Sequence, residues 1–296
     1  MIDSLLILAI KAIQLFLRSL PERPCRTIGI LLGRAGFLFL GKRRRVAIAN
    51  SMRICPGISA RRASAIALGC FEKLGINFIE ILLFPFLTAE AIAERFPLET
   101  SHAAEEALKA GRGALVLGFH YSNWEIMGVA STLLNREIVA LARPLKGHLR
   151  LNAFLIGLRA STGLTIIPNK DTARDVMRLL KENRLVAFLG DQREKRSKAV
   201  WAELFGEKVP TSKGVVALAM KTGAPLIPIY SRRDGFLRYT VVCGEPLPIA
   251  RKGAPMEELI CRNARLVNEL LERIVIEHPD EWFLVHSRFG RRQRDA

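Results

Sequence analysis

The spacing of apolar residues along this chain changes character once, near residue 113. Before that point it is helical. From 2 to 20 the residues are nearly all Leu, Ile, Phe and Ala, with Ser4, Lys11, Gln14 and Arg18 forming a narrow polar stripe. This predicts a hydrophobic helix broken by Pro21 and Pro24. A second apolar segment covers 27–40 and contains Arg34. Helices are then expected over 46–52, over 60–83, where Ala67, Phe71, Leu74, Phe78 and Ile81 recur at helical spacing with Asn77 and Glu80, and over 88–110.

After Gly113 the apolar runs shorten to five or six residues bounded by glycine, proline or charge. They predict strands at 114–119, 138–142, 164–168, 185–190, 225–230 and 239–243. Helices are expected between them near 124–134, 149–161, 171–182 and 212–222, with a long last helix after Pro255 running to His278. Alternation of this kind predicts an α/β fold, a mixed and mostly parallel sheet flanked by helices. The expected division is 1–45 as an apolar, membrane-anchoring amino-terminal unit and 46–296 as the α/β domain.

Composition sharpens the amino-terminal reading. Half of the 296 residues are hydrophobic and a quarter are charged, with a net charge of +17. The run at 2–20 carries Lys11 and begins with Asp3, so neither a simple spanning helix nor a secretory signal fits it well. An interfacial helix with Lys11 and Arg18 snorkelling fits better; a core helix is the alternative. The basic cluster Lys42, Arg43, Arg44 and Arg45 behind the second apolar segment suits an anionic lipid surface. Residues 36–42 imitate the spacing of a phosphate-binding loop, but Arg43 stands where Ser or Thr is needed and residues 37–40 are too bulky for a cradle. Five scattered cysteines without a C-x-x-C pair imply neither a disulfide frame nor a zinc site. Basic residues lie beside apolar segments and no recognition motif appears, which argues against nucleic acid.

The candidate chemistry lies at His120, Tyr121, Ser122, Asn123, Trp124 and Glu125. Of the five histidines, only His120 has an acid five residues further on. It closes a predicted strand, with Asn123 a possible helix cap and Glu125 in the first turn of the next helix. Across such a turn the two side chains can converge as a base and its orienting acid, at the strand end where α/β proteins bind ligands. A histidine bonded within the turn, with Glu125 as an ordinary first-turn acid, is the structural alternative.

Taken with later landmarks, this segment resembles the lysophospholipid acyltransferase superfamily, and within it the lipid A biosynthesis lauroyl/myristoyl acyltransferases. The landmarks are Arg143 and Pro144, Arg159 to Gly163, Gly190 to Gln192, Phe205 and Gly206 with Thr211 and Gly214, and Pro279 to Trp282 with His286 and Arg288. Asn50 and the apolar amino terminus also fit. Two features depart from the family pattern: Gln192 and Arg193 separate Asp191 from Glu194, and the closing motif reads His286, Ser287, Arg288.

The resemblance implies a membrane-associated enzyme at the cytoplasmic face of the inner membrane. It would move an acyl chain from an acyl carrier protein thioester to a hydroxyl of an anionic glycolipid, a lipid A precursor. His120 would be the general base and Glu125 its partner. Arg159, Arg143, Asp191 and Glu194 would bind substrate, and neither a metal nor another cofactor is expected. Another glycolipid or lysophospholipid acceptor, thioester hydrolysis, and a basic membrane-surface protein without catalysis are the alternatives.

Overall fold

The computed structural model describes residues 2–142, 147–168 and 172–290. Four helices come first: α1 (Ile2–Arg18), α2 (Glu22–Phe39), α3 (Gly41–Ile54) and α4 (Ala60–Leu83). Then follow α5 (Ala89–Arg95), β1 (Leu98–Thr100), α6 (His102–Lys109) and β2 (Ala114–Gly118). After β2 come α7 (Met127–Leu133), β3 (Ile138–Ala142), α8 (Leu149–Ala160), β4 (Leu164–Pro168), α9 (Thr172–Lys181) and β5 (Leu185–Leu189). The chain finishes with β6 (Ala199–Leu204), β7 (Glu207–Ser212), α10 (Gly214–Thr222), β8 (Leu226–Gly235), β9 (Arg238–Cys243) and α11 (Met256–Glu277).

Seven strands form one sheet in the order β1-β9-β8-β2-β5-β3-β4. All neighbours are parallel except β8 and β9. The expected mixed, mostly parallel sheet with flanking helices is therefore present. Both faces are covered, so the central strands are apolar throughout. On β2, Leu115 and Leu117 face a core completed by α9, α10 and α11 (Leu179, Val216 and Leu271 among them). Ala114 and Val116 face the opposite core with Ile79, Phe96 and Val129.

β2 is the topological switch point. The chain leaves it toward β3 and β4, returns to β5 on one flank, and only later builds β8 and β9 on the other. Crevices open at the carboxyl ends of strands at such points. The register pairs Gly118 with Leu189, so His120 and Asp191, each two residues beyond its strand, emerge side by side.

The 88–110 region was expected to be helical throughout. It contains instead the short strand β1, paired with β9, because Pro97 interrupts the helical run. A second unexpected element is the antiparallel hairpin β6–β7, in which Leu204 pairs with Glu207. Its two turn residues, Phe205 and Gly206, have φ of 50° and 75°, the left-handed geometry that matches the twist of a two-residue hairpin. The phosphate-loop imitation falls on the junction of α2 and α3, and builds no cradle.

At Gly29, Gly33 and Gly75 helix α2 meets α4 backbone to backbone. A methyl group on Gly75 would lie 2.1 Å from the Gly29 carbonyl oxygen, and one on Gly33 would lie 2.2 Å from that of Phe71. The small residues at 29, 33 and 75 thus let two backbones touch. Among the described residues no helix is long and apolar enough to cross a membrane. The polar stripe of α1 turns partly inward, with Gln14 buried and its amide donating to the Leu82 carbonyl at 2.8 Å. Its apolar face is left outward: Leu8 is 66% and Phe16 59% exposed.

Candidate active site

After β2 the chain turns sharply through Ser122, a residue with φ of 54°. A left-handed serine needs support, and it comes from two sides. Asn77 on α4 donates to the Ser122 carbonyl at 2.7 Å, and the Ser122 N–H donates to the Glu281 carbonyl at 2.7 Å. Behind the turn Glu80, fully buried, accepts from Asn123 Nδ2 (3.0 Å), Arg233 (2.9 Å), the Leu237 N–H (2.8 Å) and the Tyr239 hydroxyl. Asn123 is therefore tied to α4 and does not cap the following helix. That helix starts with a 3-10 turn, Trp124–Ile126, before α7.

The imidazole of His120 is wedged between two rings, Trp124 at 5.1 Å and Phe283 at 5.7 Å. Its Nδ1 lies 2.8 Å from Asp191 Oδ1. The other carboxylate oxygen, Oδ2, accepts from the His120 backbone N–H at 3.0 Å and from Trp282 Nε1 at 2.8 Å. Burial by itself would push the Asp191 carboxyl up. The hydrogen bond and charge of His120, with the Trp282 and backbone donors, more than offset it and hold the group below its usual range. A charged Asp191 fixes the proton of a neutral imidazole on Nδ1 and so places the ring's lone pair on Nε2.

Glu125, expected on the imidazole, is engaged elsewhere. It binds Arg159 of α8 through both oxygens, at 2.8 and 3.0 Å. That bidentate pair raises the arginine above its usual value. The expected partnership of His120 with Glu125 is thus replaced by two pairs, His120 with Asp191 and Glu125 with Arg159. The reason is the strand order: β5 lies against β2, so Asp191 reaches the ring first.

His120, Glu125 and Arg159 border one cavity of about 630 Å³, with Asp191 buried behind the imidazole. Its walls include Leu141, Ile166, Phe188, Leu189 and Leu218, while Gln192, Glu194 and Lys198 add polar groups. Glu194 accepts from the backbone N–H of Lys195 and remains on the cavity wall. Arg143 lies outside the described residues. Among the described residues no group of three or more His, Cys, Asp or Glu could hold a metal ion.

Three residues outside the expected set complete the site. Trp282 and Phe283 contact Asp191 and His120 directly, and Asn50 fixes their segment by donating to the carbonyls of Leu284 and His286, both at 2.8 Å. Arg288, a landmark of the closing motif, is buried, donating to Pro210, Thr211 and Asn268. Burial pushes its pKa down to about 10. The order Pro279 to Trp282 was visible in the sequence as a landmark, but nothing in it indicated contact with Asp191 or His120.

An imidazole held by a buried carboxylate thus opens on a cavity walled by both apolar and charged side chains, a layout compatible with acyl transfer. The chain belongs to the bacterial lipid A biosynthesis acyltransferases, whose family pattern it matches over residues 2–291, and is an acyltransferase. It is similar to the lipid A biosynthesis palmitoleoyltransferase of Escherichia coli K12, with 23% identity over 90% of this chain and 84% of that protein. It is similar also to the lipid A biosynthesis lauroyltransferase of the same organism, with 23% identity over 93% and 88%. The phosphatidylinositol mannoside acyltransferase of Mycolicibacterium smegmatis is 30% identical over a shorter stretch, 44% of this chain and 43% of its own.

Proposed function

We propose that the enzyme transfers a fatty acyl chain from an acyl carrier protein thioester to a hydroxyl of a lipid A precursor, with His120 as general base. The observation that carries this reading is an imidazole whose Nδ1 is held by a buried carboxylate, bordering a cavity whose apolar wall residues suit an acyl chain. A hydroxyl is a weak nucleophile near neutral pH, so its proton must be removed as it attacks the thioester carbonyl carbon. His120 takes that proton, and Asp191 stabilises the imidazolium. The C–S bond breaks, the sulfur leaves, and the proton returns to it. No protein nucleophile is needed, because the acceptor itself attacks.

Arg159, held in place by Glu125, is the candidate donor to the developing oxyanion or to a substrate phosphate. Arg143 and Glu194 stay as candidates for contacts to the acceptor. The net charge of +17 suits an acidic carrier and an anionic glycolipid. Residues 1–45 supply the lipid-facing surface and 46–296 the chemistry, at the cytoplasmic face of the inner membrane. The partial likeness to a phosphatidylinositol mannoside acyltransferase favours, as a second reading, a different glycolipid acceptor.

The test is transfer of a dodecanoyl chain from acyl carrier protein to a panel of acceptors, followed by mass spectrometry of the lipids. A lipid A precursor should gain one acyl chain, and His120→Ala should reduce the rate by roughly a hundredfold or more. Turnover within a few-fold of wild type in that variant would remove His120 from the mechanism. Acylation of a mannolipid in preference to the lipid A precursor would select the second reading.

A further inference from the structure

The imidazole has one nitrogen left to receive a proton, and that nitrogen is covered. The side-chain amide nitrogen of Gln192 lies 3.1 Å from His120 Nε2. Because Nδ1–H is committed to Asp191, the Nε2 lone pair accepts from the Gln192 N–H. Gln192 directly follows Asp191, so the residue that orients the base and the residue that covers it leave the same end of β5. Gln192 also lines the catalytic cavity, and its side chain is only partly buried. It can swing into that space without breaking the core.

The cover answers a chemical problem. A cavity of about 630 Å³ with Glu194 and Lys198 on its wall admits water as well as lipid. An open base beside a bound thioester would activate water as it activates an alcohol. Nε2 would take a proton from water, and the oxygen would bond to the carbonyl carbon. The C–S bond would break and the sulfur would recover the proton, wasting the acyl group as free fatty acid. An acceptor hydroxyl is delivered by binding energy from the rest of its molecule, whereas a water has none to contribute. Exchanging the amide for that hydroxyl on Nε2 replaces one hydrogen bond by another, at small net cost.

We propose that Gln192 is a reversible cover on the general base, suppressing thioester hydrolysis until an acceptor hydroxyl displaces it. This rests on the acyltransfer reading above and assigns Gln192 a positioning role in it. The full chain is given dodecanoyl-acyl carrier protein with and without a lipid A precursor, and free acid and acylated lipid are quantified in the same reactions. Gln192→Ala should raise the ratio of hydrolysis to transfer roughly tenfold, the worth of about one hydrogen bond. Gln192→Glu keeps the shape but puts a carboxylate on Nε2, which favours a protonated ring, so both reactions should slow together. A purely structural role would lower both rates in Gln192→Ala and leave their ratio unchanged, and that result overturns the proposal. If Gln192→Ala does not fold, wild-type rates in Gln192→Glu overturn it equally. Wild-type protein that cleaves the thioester and acylates no lipid would remove the acyltransfer reading itself.

Discussion

Asp191 keeps a negative charge where desolvation opposes it, and three donors on its two oxygens are what make that tolerable. Neutralising it leaves the imidazole free to adopt the other tautomer, with the proton on the nitrogen that should receive one. Asp191→Asn is therefore expected to lower kcat by roughly a thousandfold with little change in KM. Glu125→Gln keeps the Nδ1 proton in place and weakens only the hold on Arg159, so its loss should be about tenfold and partly in KM. Steady-state kinetics of the two variants checks the assignment. If Glu125→Gln is the more damaging in kcat while Asp191→Asn stays near wild type, the orienting acid is Glu125 after all. The sequence disclosed both acids but not which one meets the ring. His120 and Asp191 are 71 positions apart, and their juxtaposition depends on β5 lying next to β2 although β3 and β4 intervene in the chain. Nearness along the chain favoured Glu125; strand order favours Asp191.

Elements with a long and regular apolar pattern were legible almost to the residue. α4 spans Ala60–Leu83 and β3 spans Ile138–Ala142, as expected from their spacing. β1 has only three residues and no periodicity to read. The hairpin β6–β7 alternates weakly, carries Pro210 and several charges, and is held partly by buried Arg288 from the far end of the chain. Neither could be found from local pattern alone. The contact between α2 and α4 is likewise readable only once both backbones are seen together. Gly75 meets Gly29 there, with no space for a side chain. Gly75→Ala should gain a little helix propensity and still destabilise the protein by about 1–3 kcal/mol, since backbone must move to admit the methyl group. Because α4 carries Asn77 and Glu80, the supports of the turn after His120, activity should fall alongside the denaturation midpoint. An unchanged or raised Tm would show that the helices separate without cost.

Across the whole molecule, the chemistry and the exposed apolar surface are joined through α8. Asp3 near the start of α1 accepts from His148 at 2.8 Å, and Arg150 donates to Ser4 at 2.9 Å; the far end of α8 holds Arg159 at the cavity. The outward face of α1 and α2 leaves Leu5, Leu8, Leu15 and Phe16, then Leu38 and Phe39, at 59–84% exposure. So large an apolar surface on a chain of charge +17 is expected to be covered by anionic lipid. On that expectation the helix would lie flat on the membrane with its apolar face toward lipid and Gln14 turned inward, and the His120 cavity would connect to that surface through α8. Each large side chain inserted contributes about 1.5–3 kcal/mol, so Leu8→Asp with Phe16→Asp should weaken binding to anionic vesicles by roughly a hundredfold or more. Sedimentation with phosphatidylglycerol vesicles measures it, and acyl transfer in detergent serves as the control for an intact site. Binding that survives the double substitution but disappears in high salt would assign the attachment to Lys42–Arg45 and the other cations, with α1 no longer the contact.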